Sequence, residues 1–255
     1  MRTFTRSTAA VVTAASLALL VSACGSGGED ADKGTGKGSA APSASATSSA
    51  PDTKALSSAE LEKLIVEQAD LPGHQVQKAK PADLVKSDAV ATDKPSCKPL
   101  ADAMSFLATG KPAATAHRKA IEVPKSEGAT ASPKDALGAL SAPVTSVALG
   151  SYDGQGAQEA FASLKTAGTD CAGGFTVIGG GEKTKVTKVA PESVSAGEES
   201  LAWTVTVDMD GEPFVTKVAV FRKGGTLASF STLSLGGTVK DLPKAVIDAQ
   251  AAKLG

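Results

Sequence analysis

The chain has 255 residues, with 26 Lys+Arg against 27 Asp+Glu and three cysteines. A near-zero charge argues against a nucleic-acid binder, which normally shows a basic face and a high pI. Hydrophobic residues make up 42% and aromatics only 4%, so any packed core is built from Val, Leu, Ile and Ala. The odd cysteine count requires one cysteine to lie outside disulfide pairing.

Arg2 and Arg6 precede an apolar run from Ala9 to Val21, with no acidic residue before Glu29. A run of this length suits a signal-peptide core and is too short to span a bilayer, which needs roughly 20 residues. Val21-Ser22-Ala23-Cys24 follows and resembles the bacterial lipobox. That resemblance implies cleavage after residue 23 and a diacylglyceryl group on Cys24, which anchors the chain to the outer face of the cytoplasmic membrane. Residues 25–54 contain six Gly, six Ser, six Ala and seven charged residues, but no Val, Leu, Ile, Met or aromatic. Such a segment cannot offset its ordering entropy by burial, so 24–54 is expected to be a lipid-anchored, disordered linker. Its Ser, Thr and Pro content also suits glycosylation.

The globular part is expected over 55–255. Ser57 and Glu60 form a capping box before Leu61, Leu64 and Ile65, predicting a helix from 57 to about 69 that Leu71-Pro72-Gly73 stops. A short strand is expected at 75–79, a helix at 98–107 and a strand at 114–123. The stretch 127–142 suggests a loop with a helical turn at 133–140. A β-rich run at 144–152 leads to Asp153-Gly154, placed as the cap of a helix carrying Ala157, Ala160, Phe161 and Leu164 on one face.

Strands are then expected at 175–178 and more weakly at 183–189. Leu201, Trp203, Val205 and Val207 alternate with Ala202, Thr204, Thr206 and Asp208, the pattern of a half-buried antiparallel strand. Asp210-Gly211 and Lys223-Gly224-Gly225 supply hairpin turns to strands at 214–222 and 226–235. Pro243 opens a last helix with Leu242, Val246, Ala249 and Leu254 on its apolar side. The sum is an α+β domain, a twisted antiparallel sheet with helices packed on one face.

With Cys24 taken by lipid, Cys97 and Cys171 are left as a pair in an oxidising compartment. A bridge between them is expected; the alternative is a redox or metal-ligand role, and no CxxC or neighbouring ligand spacing supports it. No metal site or cofactor is expected. No HExxH, GxSxG or SxxK motif is present. His74 follows a turn, and His117 is flanked by Arg118 and Lys119, so both are expected at the surface. Asp208, Asp210 and Glu212 fit a soluble hairpin tip, and Glu192, Glu198 and Glu199 a solvated loop. Trp203 is expected to pack in the core or to line a pocket, with Phe230 as a second candidate lining residue.

Several short motifs carry a further resemblance. They are Leu71-Pro72-Gly73, Cys97-Lys98-Pro99-Leu100, a strand and helix ending near Cys171 and Phe175, Gly197-Glu198-Glu199-Ser200 before a strand, and Val220-Phe221-Arg222-Lys223-Gly224. Together they resemble the PknH-like extracellular sensor domain, found on actinobacterial receptor Ser/Thr kinases and on stand-alone lipoproteins. The resemblance implies one α+β domain with a cleft that binds an unidentified envelope ligand, and no catalytic residues. Kinase-attached members carry two disulfides, whereas this chain has cysteines for one; many members have Asp where this chain has Glu198. The leading expectation is therefore a surface-tethered binding or sensor module rather than an enzyme. The alternatives are an assembly factor for an envelope protein complex and, behind it, a hydrolase.

Overall fold

A computed structural model describes residues 54–123, 141–236 and 238–255. All of them belong to one compact unit spanning Ser48–Gly255. The signal segment, Cys24, the linker and the expected turn at 133–140 lie outside the described residues.

Nine strands form one sheet in the spatial order β1-β3-β4-β9-β8-β7-β6-β5-β2, and every pairing is antiparallel. The strands are β1 (His74–Lys78), β2 (Val90–Thr92), β3 (Ala114–Glu122), β4 (Val144–Ser151), β5 (Phe175–Gly179), β6 (Glu182–Glu192), β7 (Glu199–Met209), β8 (Glu212–Lys223) and β9 (Thr226–Leu233). Among the described residues four α-helices accompany them: α1 (Ser58–Leu64), α2 (Lys98–Met104), α3 (Gly156–Asp170) and α4 (Lys244–Leu254). The expected α+β class and antiparallel sheet are present.

The helices cover both faces of the sheet, not one. On the first face Trp203, Val205, Val207, Val218, Val220 and Leu227 pack with Leu100 of α2 and with Phe161 and Leu164 of α3. On the second, Ala202, Ala219, Phe221, Ala228 and Phe230 pack with Leu61 and Ile65 around α1 and with Val246 and Ile247 of α4. The second face escapes a one-sided alternation count because alanines supply much of it. Alanine adds little apolar area, but it lets a helix approach the sheet closely.

Several local readings shift. Helix α1 stops at Leu64, since Ile65 turns extended, and a 3₁₀ turn at Gln68–Asp70 follows. The capping box is as expected: the Ser57 hydroxyl accepts from the Glu60 N–H, and the Glu60 carboxylate accepts from the Ser57 N–H at 2.8 Å. Asp153 does not cap α3; its carboxylate accepts from the Ala55 N–H at 2.9 Å. Glu192, Glu198 and Glu199 are not a free solvated cluster: Glu192 ends β6 and pairs with Lys217 of β8. Glu198 and Glu199 pair with Arg222, and Glu198 also accepts the Gly224 N–H, fixing the β7 entrance against the β8–β9 turn. Gly197 is required there: its φ is +59°, and a Cβ would sit 2.5 Å from the Arg222 carbonyl.

Cys97 and Cys171 are disulfide-bonded, with Cα atoms 5.8 Å apart and a sequence separation of 74. The bridge ties the start of α2 to the end of α3, and a loop of this length is worth about 4 kcal/mol in the chain-entropy account. At the β1 edge, the Gln68 carboxamide donates to the His74 carbonyl at 2.7 Å and accepts from the Val76 N–H at 3.0 Å. One side chain thus occupies two outward-facing backbone groups of an edge strand.

Candidate ligand cleft

A cleft of about 500 Å³ opens on the second face, between one end of the sheet and the start of α4. This volume is in the range of small-molecule sites. The floor is made of strand ends whose register is fixed. His74 of β1 faces Glu122 of β3, and Thr145 of β4 faces Thr232 of β9. These positions share parity with Val76, Ala120, Val147 and Phe230, all directed at the second core. Where that core ends, the same face turns polar. The opposite wall is the chain from Thr238 to Ala245, held to the sheet where the Val239 N–H donates to the Val215 carbonyl at 3.1 Å.

The floor is a buried hydroxyl layer. Thr145 and Thr232 are 3% and 2% exposed, and their hydroxyls share one hydrogen bond of 2.9 Å. Ser234 is also buried and donates to the Ser141 carbonyl at 2.6 Å. The polar row continues across the sheet: Thr232 faces Lys217 of β8, and Lys217 faces Thr204 of β7. Lys217 is buried and donates to both Glu192 and Thr204. Burial pushes the Glu192 carboxyl up, but the Lys217 and Thr204 hydrogen bonds outweigh it and hold that carboxyl below its ordinary value.

The walls carry charge of both signs. Lys240, Asp241 and Lys244 lie on the α4 side and Glu122 on the sheet side. Lys244 reaches Asp248 one turn on, at 3.4 Å. Wall and floor also hold unspent polar groups. The buried His74 Nδ1 has no hydrogen-bond partner. Helix α4 begins after Pro243, which offers no side-chain cap. A shallower hollow of about 350 Å³, lined by Val194, Ile247 and Asp248 among others, lies on the far side of Leu242 and Lys244.

The sequence-predicted site residues fall elsewhere. Trp203 and Phe230 are on opposite faces, 3% and 0% exposed, and neither lines these clefts. Trp203 packs against Gly168 of α3, and Phe230 stacks on Phe221 with centroids 5.8 Å apart. Both are core residues, because large rings at mid-strand are enclosed once both faces carry helices. His117 is not solvated: its ring meets Phe106 edge-on at 5.1 Å, its Nε2 is buried without a partner, and burial holds its pKa below the ordinary value. His74 and His117 project to opposite faces, on different strands, and do not meet. Among the described residues no group of three or more His, Cys, Asp or Glu is placed to hold a metal ion.

The cleft residues were invisible to motif reading. Thr and Ser in strands resemble solvent-facing positions, and the cleft joins residues from 74 to 245 that no spacing connects. The only local signal was Pro243 at the helix start.

The fold defines the molecule as a single-sheet α+β domain with a polar cleft. No family profile matches the chain, and no curated protein matches it. Among solved structures it is similar to the extracellular domain of PknH from Mycobacterium tuberculosis, at 14% identity over 79% of this chain and 97% of that one, with a TM-score of 0.47. It is also similar to an uncharacterized protein from Mycobacterium smegmatis, at 10% identity over 77% of this chain and 92% of that one, with a TM-score of 0.34.

Proposed function

We propose that this chain is a lipid-anchored extracytoplasmic binding module that takes a small polar ligand in the cleft beside α4. The observation that carries the reading is the concave site itself, where buried hydroxyls and unspent polar groups sit at the end of an otherwise apolar core. Clefts with a few convergent polar groups are the usual form of a small-ligand site. The Cys97–Cys171 disulfide favours an oxidising compartment. Cys24 is the proposed lipid attachment point, residues 1–23 the cleaved signal, 24–54 the linker and 55–255 the binding domain. Ligand capture needs no catalytic residue, and none is assigned.

The test is a thermal-shift screen of the full chain against lipid headgroups, glycans and cell-wall fragments. A ligand at 100 times its Kd adds about 2.7 kcal/mol of stability. Ala245 is exposed on the cleft wall, so Ala245→Trp is expected to abolish the shift while leaving the free protein's midpoint unchanged. A shift that survives this substitution places the ligand elsewhere and sinks the reading. The anchor is tested by Cys24→Ser, which should move the protein from the membrane to the soluble fraction.

A second reading, docking of a protein partner, is favoured by one observation. Val123, Leu233 and Leu235 are exposed, at 51%, 38% and 79%. Leu233 lies beside Val144 in the sheet, and Val144 beside Ile121, an apolar row on the face opposite the cleft; Val123 and Leu235 follow two residues beyond Ile121 and Leu233 in sequence. A partner retained by the wild-type chain and lost on Leu235→Asp would support it.

A further inference from the structure

The charge arrangement of the cleft specifies a ligand class. On the α4 wall, Lys240 stands beside Asp241, and Lys244 is paired with Asp248 one turn on. Helix α4 has 11 residues, and its first turn faces the cleft. The Lys244 N–H bonds to the Leu242 carbonyl, and those of Val246 and Ile247 to the Pro243 carbonyl. Among the described residues the Ala245 N–H has no acceptor. Its side-chain charges balance, and the helix dipole with the unpaired Ala245 N–H makes the first turn the positive end of that wall, with Lys240 and Lys244 within its reach.

The floor adds an independent donor. Thr145 and Thr232 have two hydroxyl protons between them and, among the described residues, share one hydrogen bond. One proton therefore remains to be given, from a side chain more than nine-tenths buried. Buried donors without acceptors are rare and costly, so a ligand or water must accept it. Across the cleft, Glu122 makes no ion pair among the described residues, and its strand neighbour is His74, whose buried Nδ1 is unpaired. The sheet-edge side is negative.

We infer that the cleft receives a small zwitterion, an amino acid or short peptide, with its carboxylate at the first turn of α4 and its ammonium at Glu122. This rests on the cleft being the binding site. The carboxylate accepts from the Ala245 N–H, the spare threonine hydroxyl and the lysines; the ammonium donates to the Glu122 carboxylate. A ligand bearing only one of the two charges leaves one wall uncompensated. Among the described residues the cleft lining includes no Trp, Tyr or Phe, the side chains on which a sugar ring or nucleobase would stack.

The test titrates the isotope-labelled full chain with L-alanyl-L-alanine, its N-acetyl form, its C-terminal amide and inorganic phosphate, following amide shifts by NMR. The free dipeptide is expected to move the resonances of Ala245, Thr232, Glu122 and His74. Either blocked form should bind about tenfold more weakly, the scale of one charge-assisted contact. Glu122→Gln, at an exposed position, should erase the difference between free and N-acetylated dipeptide while preserving discrimination against the amide. Equal binding of blocked and free forms, or the same shifts from phosphate alone, overturns the zwitterion and leaves the cleft reading intact. A dipeptide that moves no cleft resonance also overturns it; the cleft reading is then decided separately by whether Ala245→Trp blocks a ligand from the wider screen.

Discussion

At the scale of single residues, close approach governs more of this structure than side-chain size. Gly168 shows it most clearly. A Cβ at this position would lie 2.5 Å from Trp203 Nε1 and 2.7 Å from two of the indole carbons, a separation no packed pair adopts. Alanine has the higher helix propensity, by roughly 1 kcal/mol. Overpacking a filled core costs about 1–3 kcal/mol and should win. Gly168→Ala is thus expected to lower stability in urea unfolding; a stabilised variant would show that the indole is free to move. Trp203 was legible in the sequence as a core candidate from its place in the β7 alternation, but the glycine receiving it was not. Nothing local marks Gly168 as a contact point, since it lies 35 positions away in an ordinary amphipathic helix.

Between elements, polar side chains tie backbone groups that the chain cannot pair by itself. Helix α4 is joined to the end of α1 through Gln250, which is 0% exposed. Its carboxamide oxygen accepts from the Val66 N–H at 2.9 Å, and its nitrogen donates to the Leu64 carbonyl at 2.8 Å. Those groups fall where α1 has ended and no helical partner remains. Gln250→Leu fills much of the same volume but leaves both groups unsatisfied, at about 1–3 kcal/mol each. The expected result is a lower midpoint together with faster hydrogen exchange at Val66; unchanged exchange there would show that the carboxamide is dispensable. Strands β4, β7, β8 and β9 were readable because alternation and Asp-Gly or Gly-Gly turns mark them. Strand β2 has three residues, too few for a period, and its existence depends on pairing with β5. The placement of α1 and α4 on the second face was hidden for a related reason, since Ala202, Ala219 and Ala228 give a helix room without giving the strand an apolar signature.

For the whole molecule, His117 and two paired carboxylates give a pH dependence with two steps. The folded-state pKa of His117 lies below its ordinary 6.5 because burial disfavours the cation, against a smaller opposing pull from Glu62. Its contribution is therefore present above pH 6.5 and lost as pH falls below that value. The Glu198 carboxyl is held below 4.5, chiefly by the Gly224 N–H and also by Arg222, against burial. The Glu192 carboxyl is lowered too. Stability from these carboxylates is present above pH 4.5 and lost as pH falls through their lower folded values. Thermal midpoints measured from pH 8 to 3 should decline first below pH 6.5 and again below 4.5. His117→Phe should remove the first decline alone; its persistence would assign that step to another group.

The cleft draws its floor from β1, β3, β4 and β9 and its wall from the approach to α4, the last helix of the domain. A ribosome releases those parts in order, so a chain still lacking its final residues has the hydroxyl floor and no wall to face it. On the proposed reading, a ligand can be held only when both parts are in place. On the same reading, a bound ligand would tie the stretch before α4 to the strand ends of the floor and so resist their separation.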